Sequence, residues 1–352
     1  MDLSNVRRRL EARESLLSPL ATRSRWAVRR RTEAPDPVRT SFQRDRDRIV
    51  HTKAFRRLKH KTQVFIAPQQ DHYVTRLTHT IEVAQVARTI ARALNLNEDL
   101  AEAAALGHDI GHGPFGHAGE EALAECLPDG FRHNYQSVRV LDQLEHRGEG
   151  LNLTLQTLEA VEKSSKVRED IFAEGWGVPA TLEGQVVKVA DAIAYVNHDI
   201  LDAVRAGIIT ESDLPDAARI HLGTTHSERL NALVSDVIAS SWDATGRGPT
   251  RPEPLIRMSA PIAAAANELR EFMFQRVYLY DRTRSEAERG KRVVTFLFRH
   301  YEQIPEAIDS DYCLDGDPPP RRAADFVSGM TDRYAIRLAT ELGCEDARDW
   351  RV

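Results

Sequence analysis

The residues best suited to chemistry lie in one short stretch of the chain, GHDIGHGPFGHAGE, at positions 107–120. Three histidines and two carboxylates fall within it: His108, Asp109, His112, His117 and Glu120. Neutral imidazole nitrogens and carboxylate oxygens together bind divalent transition metals well. The glycines allow the backbone to turn tightly and bring the later histidines back toward the first. The stretch therefore predicts a metal-assisted hydrolytic site.

Two further segments place residues of the same types on expected helices. His79 lies in the first turn of an apolar helix, and Arg76 shares its face. A second apolar segment, 186–202, carries four polar residues on one face: Asp191, Tyr195, Asp199 and Asp202. A buried carboxylate is costly unless a cation or hydrogen-bond donors meet it, so Asp191 is a candidate fourth ligand. The alternatives are a hydrogen-bonded core histidine and a solvated acidic stripe.

Helices must position these residues, because helical periodicity runs through most of the chain and convincing alternating strands are scarce. The expected helices span 44–60, 76–94, 98–109, 117–126, 134–146, 154–163, 182–205, 212–219, 226–241, 259–279, 285–304 and 320–341. Gly- and Pro-rich breaks fall at 111–116, 246–254 and 315–320. No internal repeat or heptad run is present. The fold class is therefore predicted to be all-α, with many helices.

Composition narrows the class of protein further. With 352 residues the chain can bury a substantial core, and 41% hydrophobic with 29% charged residues is ordinary for a globular protein. No apolar run approaches the roughly 18 residues that span a membrane, and the N-terminus lacks a secretory signal core. Three widely spaced cysteines predict neither a disulfide framework nor a zinc ligand set. We expect a cytoplasmic protein without a membrane partner.

Charge is distributed unevenly along the chain. Residues 1–61 contain 18 Lys and Arg against 7 Asp and Glu, although the whole chain carries a net charge of −5. This asymmetry indicates an anionic partner for the N-terminal part, with single-stranded nucleic acid as one candidate and a merely solvated arm as the alternative. We expect a basic, partly disordered arm over 1–40, a catalytic core over 41–210 and a C-terminal helical region over 211–352.

The order His79, His108-Asp109, Asp191 resembles that of the HD-domain phosphohydrolases. Four longer segments are similar to bacterial deoxyguanosinetriphosphate triphosphohydrolase-like proteins: FRRLKHKTQVF (55–65), TRLTHTIEVAQVA (75–87), GHDIGHGPFGHAGE (107–120) and ADAIAYVNHD (190–199). Weaker similarity extends to 268–278 and 293–305. The resemblance implies a multi-helix HD-domain fold with additional C-terminal helices.

The resemblance also implies roles for the chemical residues. The metal ligands would be His79, His108, Asp109 and Asp191, holding Mn, Mg, Co, Ni or Fe. His117 would be the catalytic histidine and Glu120 the carboxylate that orients it. His112 would line the phosphate path, although a structural hydrogen bond within the turn explains it equally well. The implied reaction cleaves a deoxynucleoside triphosphate at the α-phosphorus into deoxynucleoside and triphosphate.

Substrate contacts follow from the same resemblance. Arg76 would pair with a phosphate, and His133 matches a position of polar substrate contacts. Tyr195 would pack against the deoxyribose, while Gln63 and Asp199 would bond its 3′-hydroxyl. The chain departs from its relatives at Ala192, where they often carry a charged residue, so a phosphate contact is missing or supplied elsewhere. The candidates are Lys188, Lys291 and Arg292, each of which is otherwise explained as a surface cation.

Relatives of this kind are commonly homo-oligomers, often hexamers, and some are activated by a deoxynucleoside triphosphate. The resemblance therefore implies a homo-oligomer and possible activation by a deoxynucleoside triphosphate for this chain. Two other functions stay open. One is a different HD phosphohydrolase, acting as a nucleotide phosphomonoesterase or phosphodiesterase, since the same metal ligands can serve either. The other is a non-catalytic nucleotide sensor or nucleic-acid-binding protein that uses the basic N-terminal region.

Overall fold

The computed structural model describes residues 4–63, 73–165, 177–247, 255–309, 312–348 and 350. Within those ranges it contains fifteen α-helices: α1 (Ser4–Arg13), α2 (Ser41–Val50), α3 (Lys53–Arg57), α4 (Arg76–Ala93), α5 (Glu98–Gly107), α6 (Gly116–Cys126), α7 (His133–Arg139), α8 (Leu155–Glu162), α9 (Leu182–Arg205), α10 (Asp216–His221), α11 (His226–Ser240), α12 (Ala260–Met273), α13 (Asp281–Gln303), α14 (Pro319–Ser328) and α15 (Asp332–Glu341). The same ranges hold no β-strand, only the isolated bridges Arg29 with Thr154 and Thr62 with Thr75. The predicted all-α fold class is confirmed. No helix in the described ranges is long and apolar enough to cross a membrane.

Helix boundaries differ from the predicted ones where a threonine starts a new helix. The helix expected over 44–60 is wrong, because the Thr52 side chain accepts a backbone N–H and caps α3 as a separate helix. The helix expected over 320–341 is likewise two helices, and Thr331 caps the second. Threonine is a favoured N-cap residue because its hydroxyl accepts one of the otherwise unpaired N–H groups of the first turn. Both breaks were therefore readable from the sequence.

The chain groups into two compact units, each drawn from three segments. The first contains Met1–Val50, Thr80–His108 and Asn152–Phe274, and the second contains His51–His79, Asp109–Leu151 and Gln275–Val352. The division differs from the domain boundaries at residues 40 and 210, which were predicted from composition and motifs and stay a prediction.

In the first unit, α9 forms the centre and packs against α5, α8, α11 and α12. Its 24 residues are buried around most of the helix circumference. Alanines 103–105 in α5 are fully buried, and such small side chains let neighbouring helices approach closely. This buried framework fixes His108, which directly follows α5, and Asp191 in the middle of α9.

The N-terminal segment of the first unit contains several buried polar contacts. Arg29 Nη1 lies 2.6 Å from Asp45 Oδ1, and Asp45 is completely buried. Glu14 is also buried, and one of its oxygens accepts from the Ser24 backbone N–H at 2.8 Å. Charges removed from water require such fixed partners. Part of the positive charge predicted for a basic arm, that of Arg29, therefore neutralises the buried carboxylate of Asp45 in this unit.

In the second unit, α13 packs against α6, α14 and α15. Its apolar face contributes to a core that also draws on α6 and the turn before it, on α14 and on α15. Large members of this core are Phe115, Leu123, Val293, Val294, Leu297, Phe298, Val327 and Ile336. Burial of large aliphatic and aromatic side chains stabilises a fold by about 1.5–3 kcal/mol for each side chain. This core holds α6 and the turn before it, which carry the candidate site residues described next.

Candidate functional site

The chain between Asp109 and α6 is held in a tight turn by close backbone contacts. Phe115 has φ 62° and Gly116 has φ 59°, both in the left-handed region that an aromatic residue adopts only under constraint. A Cβ atom at Gly111 would lie 2.2 Å from the Ser137 backbone nitrogen, so only glycine fits there. The Gly111 N–H donates to Ser137 Oγ at 2.8 Å. The glycines thus act as the sequence predicted, by letting the turn close on its neighbours.

Asp109 lies in a buried polar cluster of the second unit. Arg76 Nη1 donates to Asp109 Oδ2 at 2.7 Å, and His79 Nε2 lies 3.9 Å from the same oxygen. His112 Nε2 lies 3.5 Å from Asp109 Oδ1. Ligand atoms of Asp109, His112 and His133 all lie within 4.8 Å of one another. This His/Asp group has the donor chemistry and the spacing to hold a divalent metal.

Glu120 lies at the meeting point of three imidazole rings. His133 donates to Glu120 Oε1 twice, from its backbone N–H at 2.8 Å and from Nδ1 at 2.9 Å. His117 Nδ1 lies 3.3 Å from Glu120 Oε2, and His112 Nδ1 lies 3.9 Å from it. The His112 and His133 rings stack with centroids 3.8 Å apart. The expected His117–Glu120 contact is present, and His133 is the closest imidazole partner of Glu120.

Electrostatics fix the protonation states in this cluster. Burial alone would raise the pKa of Glu120, but the neighbouring His133 and His117 lower that pKa well below its usual range. Burial, followed by the charge of Arg76, lowers the pKa of His112 well below its usual range. Glu120 is therefore an anion that only accepts hydrogen bonds, and His112 is a neutral imidazole. The His117 side chain is 55% exposed, whereas that of His112 is 2% exposed.

His108 and Asp191 meet within the first unit. His108 Nε2 lies 3.9 Å from Asp191 Oδ1, and His108 Nδ1 lies 2.6 Å from the Ala105 carbonyl oxygen. A carbonyl oxygen can only accept, so Nδ1 carries the proton and Nε2 presents its lone pair toward Asp191. This is the tautomer that a metal-binding histidine needs, with its second nitrogen fixed by the backbone.

Of three residues predicted to contact the sugar, two lie in the first unit and one lies in the second. In the first unit, Asp199 Oδ1 lies 2.8 Å from His198 Nδ1, and the Tyr195 ring meets the His198 ring edge-on. In the second unit Gln63 is buried, and its Oε1 has no hydrogen-bond partner among the residues that the structure describes. Residues 64–72, which follow Gln63, lie outside the described residues.

The candidate phosphate-binding cations are already engaged. Lys291 Nζ pairs with Glu121, Arg292 Nε pairs with Asp346 at 2.8 Å, and Lys188 Nζ donates to the Gly177 carbonyl oxygen at 3.2 Å. None of the three contacts involves a residue predicted for the site. The structure therefore gives no support for a compensating role opposite Ala192.

Sequence reasoning missed a second layer of buried charges behind the turn. Lys61 Nζ donates to the carbonyl oxygens of His112 and Ser328, and burial lowers the pKa of Lys61 to about 7. Asp332 accepts from the Phe115 backbone N–H at 3.0 Å. The basic block that ends at Lys61 indicated cations directed inward, but no local signal identified Asp332, which is 217 residues from Phe115 in sequence.

Comparisons with known proteins agree with the motif order. Residues 76–196 match the HD domain, and residues 256–341 match the phosphohydrolase-associated domain. A deoxyguanosinetriphosphate triphosphohydrolase-like protein of Caldanaerobacter subterraneus subsp. tengcongensis is 47% identical, over 94% of this chain and 94% of its own length. One of Desulfatibacillum aliphaticivorans is 45% identical, over 94% of this chain and 96% of its length.

A solved structure described as a phosphohydrolase from Bacteroides thetaiotaomicron is 16% identical to this chain. The match covers 82% of this chain and 67% of that one, with a TM-score of 0.49. A likeness at this level is too distant to carry an argument about the site.

Proposed function

We propose that this chain, which belongs to the family of deoxyguanosinetriphosphate triphosphohydrolase-like proteins, hydrolyses deoxynucleoside triphosphates at the α-phosphorus. As a member of that family it is an HD-domain phosphohydrolase. The products are deoxynucleoside and triphosphate. One observation carries the proposal: within the second unit, the His112 ring lies between Asp109 and Glu120. Its Nε2 is 3.5 Å from Asp109 Oδ1, and its Nδ1 is 3.9 Å from Glu120 Oε2. A metal ligand and a proton-transfer group thus share one short turn.

The proposed metal ligands are His79, His108, Asp109 and Asp191. The fit is supported by His108, whose Nδ1 bonds the Ala105 carbonyl oxygen so that Nε2 carries the lone pair, and by the His79 and Asp109 contact. Two imidazoles and two carboxylates suit Mn, Mg, Co, Ni or Fe, and they do not select one of them. When bound, such a cation polarises a phosphoryl oxygen and lowers the pKa of a bound water.

In this proposal the proton is moved by His117. Ionised Glu120 accepts the Nδ1 proton of His117, which leaves Nε2 with a lone pair. Nε2 then takes a proton from the water that attacks the α-phosphorus, and the bond between that phosphorus and the 5′ oxygen breaks. The 5′ oxygen takes a proton from solvent water, and the His117 imidazolium returns its proton to solvent. His133 holds Glu120 through two hydrogen bonds, so it positions the carboxylate. The exposure of His117 leaves its ring open to a substrate.

Arg76 is proposed to change partners on metal binding. Its guanidinium occupies Asp109 Oδ2 at 2.7 Å, and a cation bound by Asp109 would compete for the carboxylate charge. Displaced Arg76 would then be available to a phosphate, which matches a planar guanidinium well. The buried Gln63 Oε1, which accepts no hydrogen bond within the described part of the chain, fits an acceptor for the sugar 3′-hydroxyl. Contacts of Tyr195 and Asp199 with the sugar are proposed from the family resemblance alone.

Further parts of the proposal rest on the resemblance and on charge. They are a homo-oligomer such as a hexamer, activation by a second deoxynucleoside triphosphate, and a cytoplasmic location. Single-stranded nucleic acid is proposed as a partner of the basic N-terminal region because of its excess of Lys and Arg.

The test is product analysis by ion-exchange chromatography with each of the four deoxynucleoside triphosphates, alone and mixed, across a panel of divalent metals. We expect deoxynucleoside and triphosphate in equal amounts, and loss of both with metal removal or Asp109→Ala. The matched control is His221→Ala, an exposed histidine on α10 in the first unit, which should keep full activity. Release of monophosphate and pyrophosphate, or no turnover under any condition, would contradict the proposal.

A further inference from the structure

We propose that His112, His117 and Glu120 form a second cation site, separate from the proposed HD ligands, which binds a zinc-class ion and inhibits the enzyme. The inhibitory part rests on the proposed function, because it assumes that His117 transfers the proton. The binding part does not, since it depends only on the arrangement of three side chains within the second unit.

The geometry of these side chains is close to that of a metal site. One ligand atom from each of the three residues lies within 4.8 Å of the other two. His117 Nδ1 is 3.3 Å from Glu120 Oε2, and His112 Nδ1 is 3.9 Å from the same oxygen. Ligand atoms around a tetrahedral zinc ion lie roughly 3.3 Å apart, given metal–ligand bonds of about 2.0–2.1 Å. A small movement of the His112 ring would complete the set.

An unsatisfied buried atom also points to a missing ligand. His112 is 2% exposed, and its Nδ1 makes no hydrogen bond among the residues that the structure describes. A buried polar atom without a partner costs about 1–3 kcal/mol. Nδ1 is on the side of the ring that faces Glu120, whereas Nε2 is 3.5 Å from Asp109. A cation beside Glu120 would satisfy Nδ1 without drawing on Asp109.

The donor set selects the class of cation. Two imidazole nitrogens and one carboxylate oxygen suit zinc, which commonly takes three protein ligands and one open position. Magnesium and calcium instead require oxygen ligands, at least six in near-octahedral or larger shells. The exposure of His117 would allow water to fill the fourth position. The site is therefore expected to discriminate against magnesium.

Binding at this site would disable the proposed base through its tautomer. A neutral imidazole carries one proton, which Glu120 now holds on Nδ1 of His117. A cation bound to Nδ1 moves that proton to Nε2, so no proton is gained or lost by the ring. Nε2 then has no lone pair to accept a proton from water. Inhibition follows from the same contact that makes the ring a base.

The binding test uses zinc chloride alone and counts bound ions by elemental analysis and isothermal titration of the full chain. We expect two sites in the natural protein, one in His79→Ala, one in His117→Ala and none in the double variant, with His221→Ala unchanged at two. His117→Gln, which keeps the side-chain size, should match His117→Ala. Zinc-edge anomalous diffraction should place one ion beside Glu120. Absence of an ion beside Glu120 in the anomalous map, or an unchanged number of bound ions in His117→Ala, would overturn the site.

The activity arm is measured separately with manganese-loaded enzyme titrated with zinc. We expect turnover to fall to the level of His117→Ala as the ion beside Glu120 binds. Zinc bound beside Glu120 with undiminished turnover would overturn the inhibitory role. If zinc binds there but no deoxynucleoside triphosphate is hydrolysed with any metal, the site stands and the proposed function fails.

Discussion

Asp45 in the first unit and Glu120 in the second are both carboxylates that accept several hydrogen bonds, but their donors differ in kind. Asp45 is met by Arg29 at 2.6 Å and by the hydroxyls of Thr154 and Thr157 at 2.6 and 2.9 Å. These donors have fixed protonation states near neutral pH. Glu120 is met mainly by imidazole nitrogens, which can bind, accept or lose a proton. The first arrangement stabilises the fold, whereas the second can do chemistry.

Substitution of His117 tests most directly whether the imidazoles around Glu120 serve chemistry and not stability. We expect His117→Ala to lower kcat by about 10²–10⁴-fold, the usual contribution of a positioned acid or base. The free energy of unfolding should change by less than about 0.5 kcal/mol, because the side chain is 55% exposed. Steady-state kinetics and urea unfolding of the same preparation measure both quantities. A stability loss that accounts for the lost activity would make the Glu120 cluster structural as well.

Asp45→Ala should show the opposite pattern. The substitution removes the acceptor of the Thr154 and Thr157 hydroxyls and one of the two carboxylates at Arg29, which keeps Glu33 at 2.9 Å. We expect a loss of about 3–5 kcal/mol in unfolding free energy. Asp47→Ala is the matched control on the same helix, where the carboxylate is 27% exposed and pairs with Arg39 and Arg46. Its cost should be about 0–1 kcal/mol. Equal losses in the two variants would show that burial of Asp45 contributes little.

Lys61 extends the comparison to a buried lysine behind the turn between Asp109 and α6. Its pKa is about 7 in the folded chain because of burial, against an ordinary value of 10.5. Between these values the unfolded chain binds one proton more than the folded chain, so stability should rise with pH by up to about 1.4 kcal/mol per unit. The difference between the natural protein and Lys61→Met, measured by urea unfolding from pH 7 to pH 10, isolates this slope. A constant difference across that range would show that Lys61 stays charged.

The residues that could be predicted from the sequence alone differ between these regions. The candidate metal ligands were predicted from their residue types and spacing, and they stay a prediction. Helix α9 was predicted at 182–205 and lies at Leu182–Arg205. Asp45 was not recognised, because its partners at Thr154 and Thr157 are more than 100 residues away in sequence. His133 was noticed only as a substrate contact, since its meeting with Glu120 depends on how the turn closes. Hydrophobic periodicity predicts helices, but it does not predict which polar groups pair across long distances in the sequence.

His198 provides the smallest expected effect and a third kind of donor in the comparison, a buried imidazole beside a carboxylate. Burial would lower the pKa of His198, but Asp199, Glu82 and Asp202 together raise it above the ordinary 6.5. The folded chain then binds its proton more tightly than the unfolded chain does. This stabilisation is complete below pH 6.5 and is lost as pH rises through the folded pKa.

Unfolding free energies of the natural protein and His198→Gln, measured from pH 5.5 to pH 8.5, should therefore converge as pH rises. The size of this convergence measures how far the three carboxylates raise the pKa of His198. The exposed His221→Gln on α10 should track the natural protein throughout. A difference that widens with pH would mean that burial outweighs the three carboxylates at His198. That imidazole would then be neutral in the folded chain, and the carboxylates beside it would lack their counter-charge.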